Sequence, residues 1–378
     1  MSEVNNNNAG SKDNRQLGPY PDHLLKRVER PTVDIPGPFK RRFRMEGAVD
    51  RVRKGEYGPE IAEKSGTFIF RYPLGPVISE VHSRLMSEPS PPAGGRELPK
   101  LDMPDDPAEL TRNIKALAYF MGVDAVGICE IPSRSYFQDK DEVVREWQRA
   151  VVYLKRNDAS TTFATNGQDW IVDATAQRSY LHLTVAGETL ASYIRHLGFT
   201  AESGNQRKNF VQVPPLIIEA GLAEACRIGI GLNPFFGADF KAGVVLTDMP
   251  LVTDKPIDFG LQQYCDRCGI CAKNCIGQAI SHEKKQLYNG YEKYIFDADK
   301  CMCATANIEN GTNCFVCIMN CPWTRPNSTP SDFRDWDGSI EALTAGVDVR
   351  AAELRANGFK RNSAAEESEW WLKPQSND

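Results

Sequence analysis

Cys265-Asp266-Arg267-Cys268-Gly269-Ile270-Cys271-Ala272-Lys273-Asn274-Cys275 sets four cysteines at x2, x2 and x3 spacing, and Cys314-x2-Cys317-x3-Cys321-Pro322 repeats the end of that pattern downstream. Spacings this short let three thiolates from one turn-rich loop surround a face of a metal cubane. The x2, x2, x3 run is that of the bacterial two-cluster ferredoxins, in which the fourth cysteine serves the other cluster. The spacing therefore predicts two [4Fe–4S] clusters. In the crossed arrangement Cys265, Cys268, Cys271 and Cys321 hold one cluster. Cys275, Cys314 and Cys317 supply the other, with its last ligand drawn from Cys301 or Cys303. Zinc ribbons seldom combine this spacing with a final Cys-Pro. Ile276 after Cys275 departs from the proline of the ferredoxin run.

Of the eleven cysteines in 378 residues, only Cys129 and Cys226 lie outside this stretch. Each sits in an apolar context that suits a small buried hydrophobe. Clustered cysteines in a chain of this length point to metal rather than to a disulfide framework. The formal net charge of −5 leaves no global basic field to attract nucleic acid, which is not expected as a partner. The basic run Lys40-Arg41-Arg42-Phe43-Arg44 reads as a solvated surface. No apolar h-region follows Arg41-Arg42, and no window approaches 18 consecutive apolar residues. A cytoplasmic protein with no membrane association is expected.

Residues 1–104 are rich in Asn, Pro, Gly and charge and read as an N-terminal arm and linker. From Pro107, Leu110, Ile114, Leu117, Ala118 and Met121 recur at helical spacing. Ala125–Cys129, Ala150–Leu154 and Val244–Leu246 read as strands, and Phe199–Ala201 as a short one. Asp173–Leu197 reads as a long helix closed by Gly198, and Pro214-Pro215 opens another that runs through Cys226. The alternation predicts an α/β or α+β domain over 105–258, a cysteine-rich domain over 259–330 and a tail over 331–378. There is no G-x-G-x-x-G after a strand, no G-x-x-x-x-G-K-[ST] and no Asp-x-His-x-x-Gly. A ferredoxin needs no such domain before its clusters, so something else receives the electrons.

Pro214-Pro215-Leu216, Ala220-Gly221-Leu222-Ala223-Glu224, Asn233-Pro234-Phe235-Phe236-Gly237, Thr247-Asp248-Met249-Pro250-Leu251 and Asp254-Lys255-Pro256-Ile257-Asp258-Phe259-Gly260 resemble the cobalamin-dependent reductive dehalogenases. The likeness runs into both cysteine motifs and covers about residues 107–325. Epoxyqueuosine reductase is a related family. The resemblance implies a nitroreductase-like core that holds base-off cobalamin, beside a ferredoxin-like domain. It also prefers Cys303 to Cys301 as the remaining cluster ligand. Asn307 departs from the tryptophan usual in the family.

For chemistry, the resemblance implies Tyr180 as proton donor, standing 25 residues before Asn205 of Gly204-Asn205, with Lys241 as its basic partner and Asn205 as a polar pocket residue. Lys241 would favour the phenolate left after proton transfer. The implied function is replacement of halogen by hydrogen on an organohalide, with a halogenated aromatic as the expected substrate. The soluble, catabolic branch is the expected one, with an external ferredoxin or flavin reductase as electron donor. The competing readings are a cobalamin-dependent reductase of a non-halogenated substrate, of the epoxyqueuosine kind, and a non-catalytic iron–sulfur carrier.

Overall fold

Every residue from Ala150 to Leu154 is 0% exposed, so the strand they form must be covered on both faces. The computed structural model shows how. It describes residues 17–43, 46–68, 74–87, 104–138, 147–157, 171–204, 210–308, 313–324 and 340–358. Helices α1 (Ala48–Arg53), α2 (Pro59–Phe68), α3 (Leu74–Ser87) and α4 (Pro107–Phe120) precede strands β1 (Ala125–Glu130) and β2 (Arg149–Arg156). Then come α5 (Ile171–His196), β3 (Ala201–Gly204), α6 (Val213–Glu219), β4 (Glu224–Ala225), β5 (Gly231–Leu232) and β6 (Phe240–Thr247). The cysteine-rich part holds α7 (Leu261–Cys268), α8 (Ile270–Lys273), β7 (Gln286–Tyr288), β8 (Tyr291–Lys293), α9 (Ala298–Ala306) and α10 (Val316–Met319), and α11 (Ile340–Asn357) follows.

The central sheet has four strands in the order β1-β2-β6-β3, antiparallel throughout. Because strand side chains alternate, the sheet separates two cores. Ala150, Val152, Leu154, Val244 and Leu246 face a core completed by Leu216 and Ile217 of α6, by Phe235 and Phe236, and by Trp323. Val151, Tyr153 and Val245 face the other core, built with Leu110, Ile114 and Ala118 of α4 and with Leu183, Ala186, Leu190 and Ile194 of α5. Asp106 caps α4, its side chain accepting from Ala108 N at 2.9 Å, and Pro107 occupies the first turn where its missing N–H is harmless.

Three expectations change. The short strand lies at Ala201–Gly204, just after the expected Phe199–Ala201. The helix opened by Pro214-Pro215 stops at Glu219 instead of reaching Cys226, because Gly221 turns the chain at φ +66° and Glu224-Ala225 then pairs with β5. The segment read as an arm carries α1, α2 and α3. Pro76 falls in the first turn of α3, where proline is tolerated, and His82 in that helix is 0% exposed. Of the basic run, Lys40 and Arg42 are exposed as expected of a solvated surface, while Arg41 lies 5.6 Å over the Tyr136 ring and Arg42 donates to Tyr288 Oη at 2.7 Å. No helix among the described residues is long and apolar enough to cross a membrane.

One turn of the sheet domain packs closely against the cysteine-rich part. Asn233, 0% exposed, donates through Nδ2 to Tyr20 Oη (2.8 Å) and Leu222 O (2.7 Å) and accepts through Oδ1 from Phe235 N (2.8 Å) and Phe236 N (3.0 Å). Its amide is fully satisfied. The turn ends at Gly237, φ +63°, where an added Cβ would stand 2.5 Å from Thr324 Cα and 2.6 Å from Thr324 N. Trp323, 1% exposed, packs edge-on against Phe259 (5.0 Å) and Tyr264 (5.5 Å).

A second tie is Glu224, 1% exposed, whose carboxylate accepts from Thr32 Oγ1 and from Phe259 N (2.7 Å) and Leu261 N (3.5 Å) at the start of α7. Burial pushes this carboxyl up from its usual value, against the pull of its hydrogen bonds.

Gly237→Ala adds left-handed strain and a backbone clash, and is expected to cost about 2–5 kcal/mol in a denaturant melt. A melt within error of wild type would show that the two backbones can part. For Glu224, a raised folded pKa gives stability that is present below the unfolded value near 4.3 and is lost as pH rises through the folded value. As pH rises from the unfolded value through the folded one, the stability of wild type should therefore fall relative to Glu224→Gln. A pH-independent difference between the two would count against titration at this site.

Candidate functional site

Helix α7 carries Cys265 and Cys268 and ends at Gly269, whose φ of +64° turns the chain into α8 with Cys271; Cys275 follows just after. Among the described residues no three Cys, His, Asp or Glu crowd together as ligands of a single ion would. The thiols associate more loosely, in two sets. Cys271 feels the charges of Cys265 and Cys268, and Cys321 those of Cys271 and Cys265. Cys317 feels Cys314, Cys301, Cys271 and Cys275, and Cys314 feels Cys301 and Cys275. The two sets adjoin where Cys271 meets Cys317.

Burial pushes these thiols up: Cys265 to about 11, Cys271 to about 12, Cys314 to about 11, and Cys317 and Cys321 well above the ordinary thiol range. Backbone N–H groups oppose the rise. Arg227 N–H is directed at Cys265, Ala272 N–H at Cys271, Val316 N–H at Cys314 and Trp323 N–H at Cys321, and Ala279 N donates to Cys275 Sγ at 3.2 Å. Buried sulfurs in mutual repulsion, ringed by N–H donors, suit thiolates bound to a cationic core. The donor set fits iron–sulfur clusters.

On α9, it is Cys301 that stands beside Cys275. Cys303, preferred from sequence, is two residues further on. At 3.6 residues per turn this is roughly 200° around the helix, so it faces another side. Cys129 is buried in the core as expected, with Sγ 3.7 Å from Leu216 O. Cys226 is buried too, but beside the first set, where Cys321 feels it.

Tyr180 of α5 and Lys241 of β6 come together: Lys241 Nζ lies 5.3 Å from the Tyr180 ring centroid and 5.1 Å from that of Phe315. Phe315 directly follows Cys314, and it packs with Val172 and Ala176 of α5. His82 of α3 lies nearly parallel to Tyr180, with 6.4 Å between centroids. Asp173, one helical stretch earlier on α5, is pushed up by burial and pulled back by Gln177 and by the Lys241 charge. Asn205 lies outside the described residues. The sequence reading missed His82, Phe315 and Asp173; only the position of Phe315 next to Cys314 carried a signal.

Gln177, three residues before Tyr180 and so on the same helix face, donates to Asp173 Oδ1 at 3.3 Å while its own Oε1 is buried without a hydrogen-bond partner. An orphaned carbonyl oxygen here fits an amide donor such as the side chains that ring a corrin.

No family model matches the chain. The tetrachloroethene reductive dehalogenase of Sulfurospirillum multivorans is 26% identical over 299 residues, 68% of this chain and 58% of that one. That of Desulfitobacterium hafniense is 34% identical over 167 residues, 41% and 29% of the two chains. The solved catabolic reductive dehalogenase NpRdhA, in complex with 3-bromo-4-hydroxybenzoic acid, superposes with a TM-score of 0.81 at 29% identity, over 92% of this chain and 51% of that one. The chain thus spans between about a third and three-fifths of the length of these relatives. In sequence and in fold the chain is similar to the reductive dehalogenases.

Proposed function

We propose that the chain is a reductive dehalogenase in which two [4Fe–4S] clusters feed base-off cobalamin beside Tyr180. The observation that carries this reading is the junction at Phe315: its ring touches the Lys241 ammonium that also lies over Tyr180, and its backbone continues from Cys314 of the second thiol set. Electron delivery and proton delivery thereby meet in one place. Residues 105–258 act as the cofactor-binding part and 259–330 as a ferredoxin-like part.

Bound cobalamin would supply a low-valent cobalt centre able to cleave a carbon–halogen bond. The rest falls to the chain. Overall, an organohalide takes up two electrons and one proton and yields the hydrocarbon and halide. The Tyr180 hydroxyl gives the proton to carbon, and the Lys241 ammonium stabilises the phenolate that remains. Phe315 and His82 wall the site with ring faces, which suits a planar aromatic substrate. Electrons arrive from a separate ferredoxin or flavin reductase. In this reading the protein works in the cytoplasm and engages neither membrane nor nucleic acid.

For the second cluster the fourth ligand is assigned to Cys301, on its position beside Cys275 and near Cys314 and Cys317. Anaerobically reconstituted wild type should contain on the order of eight irons with matching acid-labile sulfide. Cys301→Ser is expected to lose half of them and Cys303→Ser none; the reverse result moves the ligand to Cys303.

Tyr180→Phe should lower halide release by about 10²–10⁴-fold with cobalt and iron contents unchanged, as removal of a general acid does. Near wild-type release from that variant would make Tyr180 a packing residue. Bound cobalamin without halide release from any organohalide would favour a reductase of another substrate.

A further inference from the structure

Arg227 is 6% exposed, yet the partners of its guanidinium are carbonyl oxygens and an aromatic face. Nε and Nη2 donate to Cys265 O at 3.3 and 2.9 Å, and Nη1 donates to Ser281 O at 2.9 Å and Glu283 O at 3.4 Å. The group lies flat on Tyr294, 3.7 Å from the ring centroid. Carbonyls solvate a cation without neutralising it, and a buried charge is expected to be paired. The nearby acids are engaged elsewhere: Asp266 with Lys285 at 3.5 Å and with the Tyr294 hydroxyl, Glu224 with Thr32 and the start of α7. What Arg227 does face is the first thiol set. Its side chain grips the carbonyl of Cys265, and its charge favours the thiolate forms of both Cys265 and Cys271.

We propose that Arg227 is the built-in counter-charge of the cluster held by Cys265, Cys268, Cys271 and Cys321, and that it sets that cluster's reduction potential above the value its four thiolates alone would give. The proposal rests on the iron–sulfur reading above. A cubane with four thiolates is anionic and gains one further negative charge when it takes an electron from an external iron–sulfur or flavin donor. No bond forms or breaks at Arg227. A fixed neighbouring cation stabilises the reduced form more than the oxidised one, which moves the midpoint upward. Burial makes the effect strong, because little water screens it, and the carbonyl contacts hold the guanidinium in place. The reach is selective: the guanidinium is seated on the backbone of Cys265, in the first thiol set, through two hydrogen bonds to one carbonyl.

The test is a redox titration of the reconstituted holoprotein followed by electron paramagnetic resonance, with the first cluster identified as the signal lost in Cys271→Ser. Arg227→Gln should make that cluster harder to reduce by about tenfold in the reduction equilibrium, a shift of about 59 mV to more negative potential, and leave the other cluster unmoved. Arg227→Lys keeps a cation on the site and should stay close to wild type. Loss of the cluster from Arg227→Gln alone, with a wild-type midpoint in Arg227→Lys, also supports the counter-charge. Equal shifts in both variants, an unmoved midpoint in Arg227→Gln, or loss of the cluster from both would make Arg227 a structural strut and overturn the proposal. Wild type without iron and sulfide would overturn the iron–sulfur reading as well, which separates the two failures.

Discussion

At Gly237 and Thr324 two backbones come closer than any side chain at position 237 would permit, and this contact constrains how the two parts of the molecule meet. The sheet domain presents the turn from Asn233 to Gly237, held rigid because each hydrogen-bonding site of the Asn233 amide is used. The cysteine-rich part presents the end of its second motif, Cys321 to Thr324. Thr324 Oγ1 accepts from Ala238 N at 3.2 Å, and Ala238 leads within three residues to Lys241. The chain that ends the cluster motif therefore sits against the chain that begins β6. This close approach helps set the spacing of the thiol sets from Tyr180, together with the packing of Phe315 on α5.

Gathering thiols beside a core is electrostatically adverse, and much of the local structure offsets it. Desolvation and mutual repulsion raise the thiols, while backbone N–H groups at the turns around α7, α8 and α10 point back at the sulfurs. This explains the short, broken helices of the region. A continuous helix would use its N–H groups internally, whereas turns at Gly269 and around Cys275 leave them free to face sulfur. The same constraint accounts for the carbonyl-lined seat of Arg227, where positive charge is admitted to the interior with its hydrogen bonds given to carbonyls.

Sequence carried the sheet well, and physics says why. β1, β2 and β6 are apolar on both faces, so they read as continuous runs such as Ala150-Val151-Val152-Tyr153-Leu154 with no need of context. The pairing of Tyr180 with Lys241 came through family likeness, not from any local pattern. What escaped was contributed by partners distant in sequence. The face of α3 is buried only because α5 lies against it, and a segment opening Leu74-Gly75-Pro76 gives weak helical signals on its own. Arg227, within Ala225-Cys226-Arg227-Ile228, has nothing periodic about it; its environment is made by Cys265, Ser281 and Tyr294. Cys301 and Cys303 could not be told apart by counting residues, since the choice depends on which side of α9 faces Cys275.

The arrangement also orders the path of electrons. With cubanes in both thiol sets, the junction of Cys271 and Cys317 brings the clusters together, and Phe315 leads from the second cluster to Tyr180 and Lys241. The first cluster is then the remote one and the second the delivering one. A cation beside the remote cluster lets it accept an electron readily and hold it. The delivering cluster has no share in the guanidinium that grips Cys265 O, and so stays the more difficult of the two to reduce. Chemistry that needs two electrons in succession is served by such a pair, because the remote cluster stores the second electron while the first is used. The Lys241 charge lies between the Phe315 and Tyr180 rings, where it acts on the proton donor, so that one cation serves electron storage and another serves proton transfer.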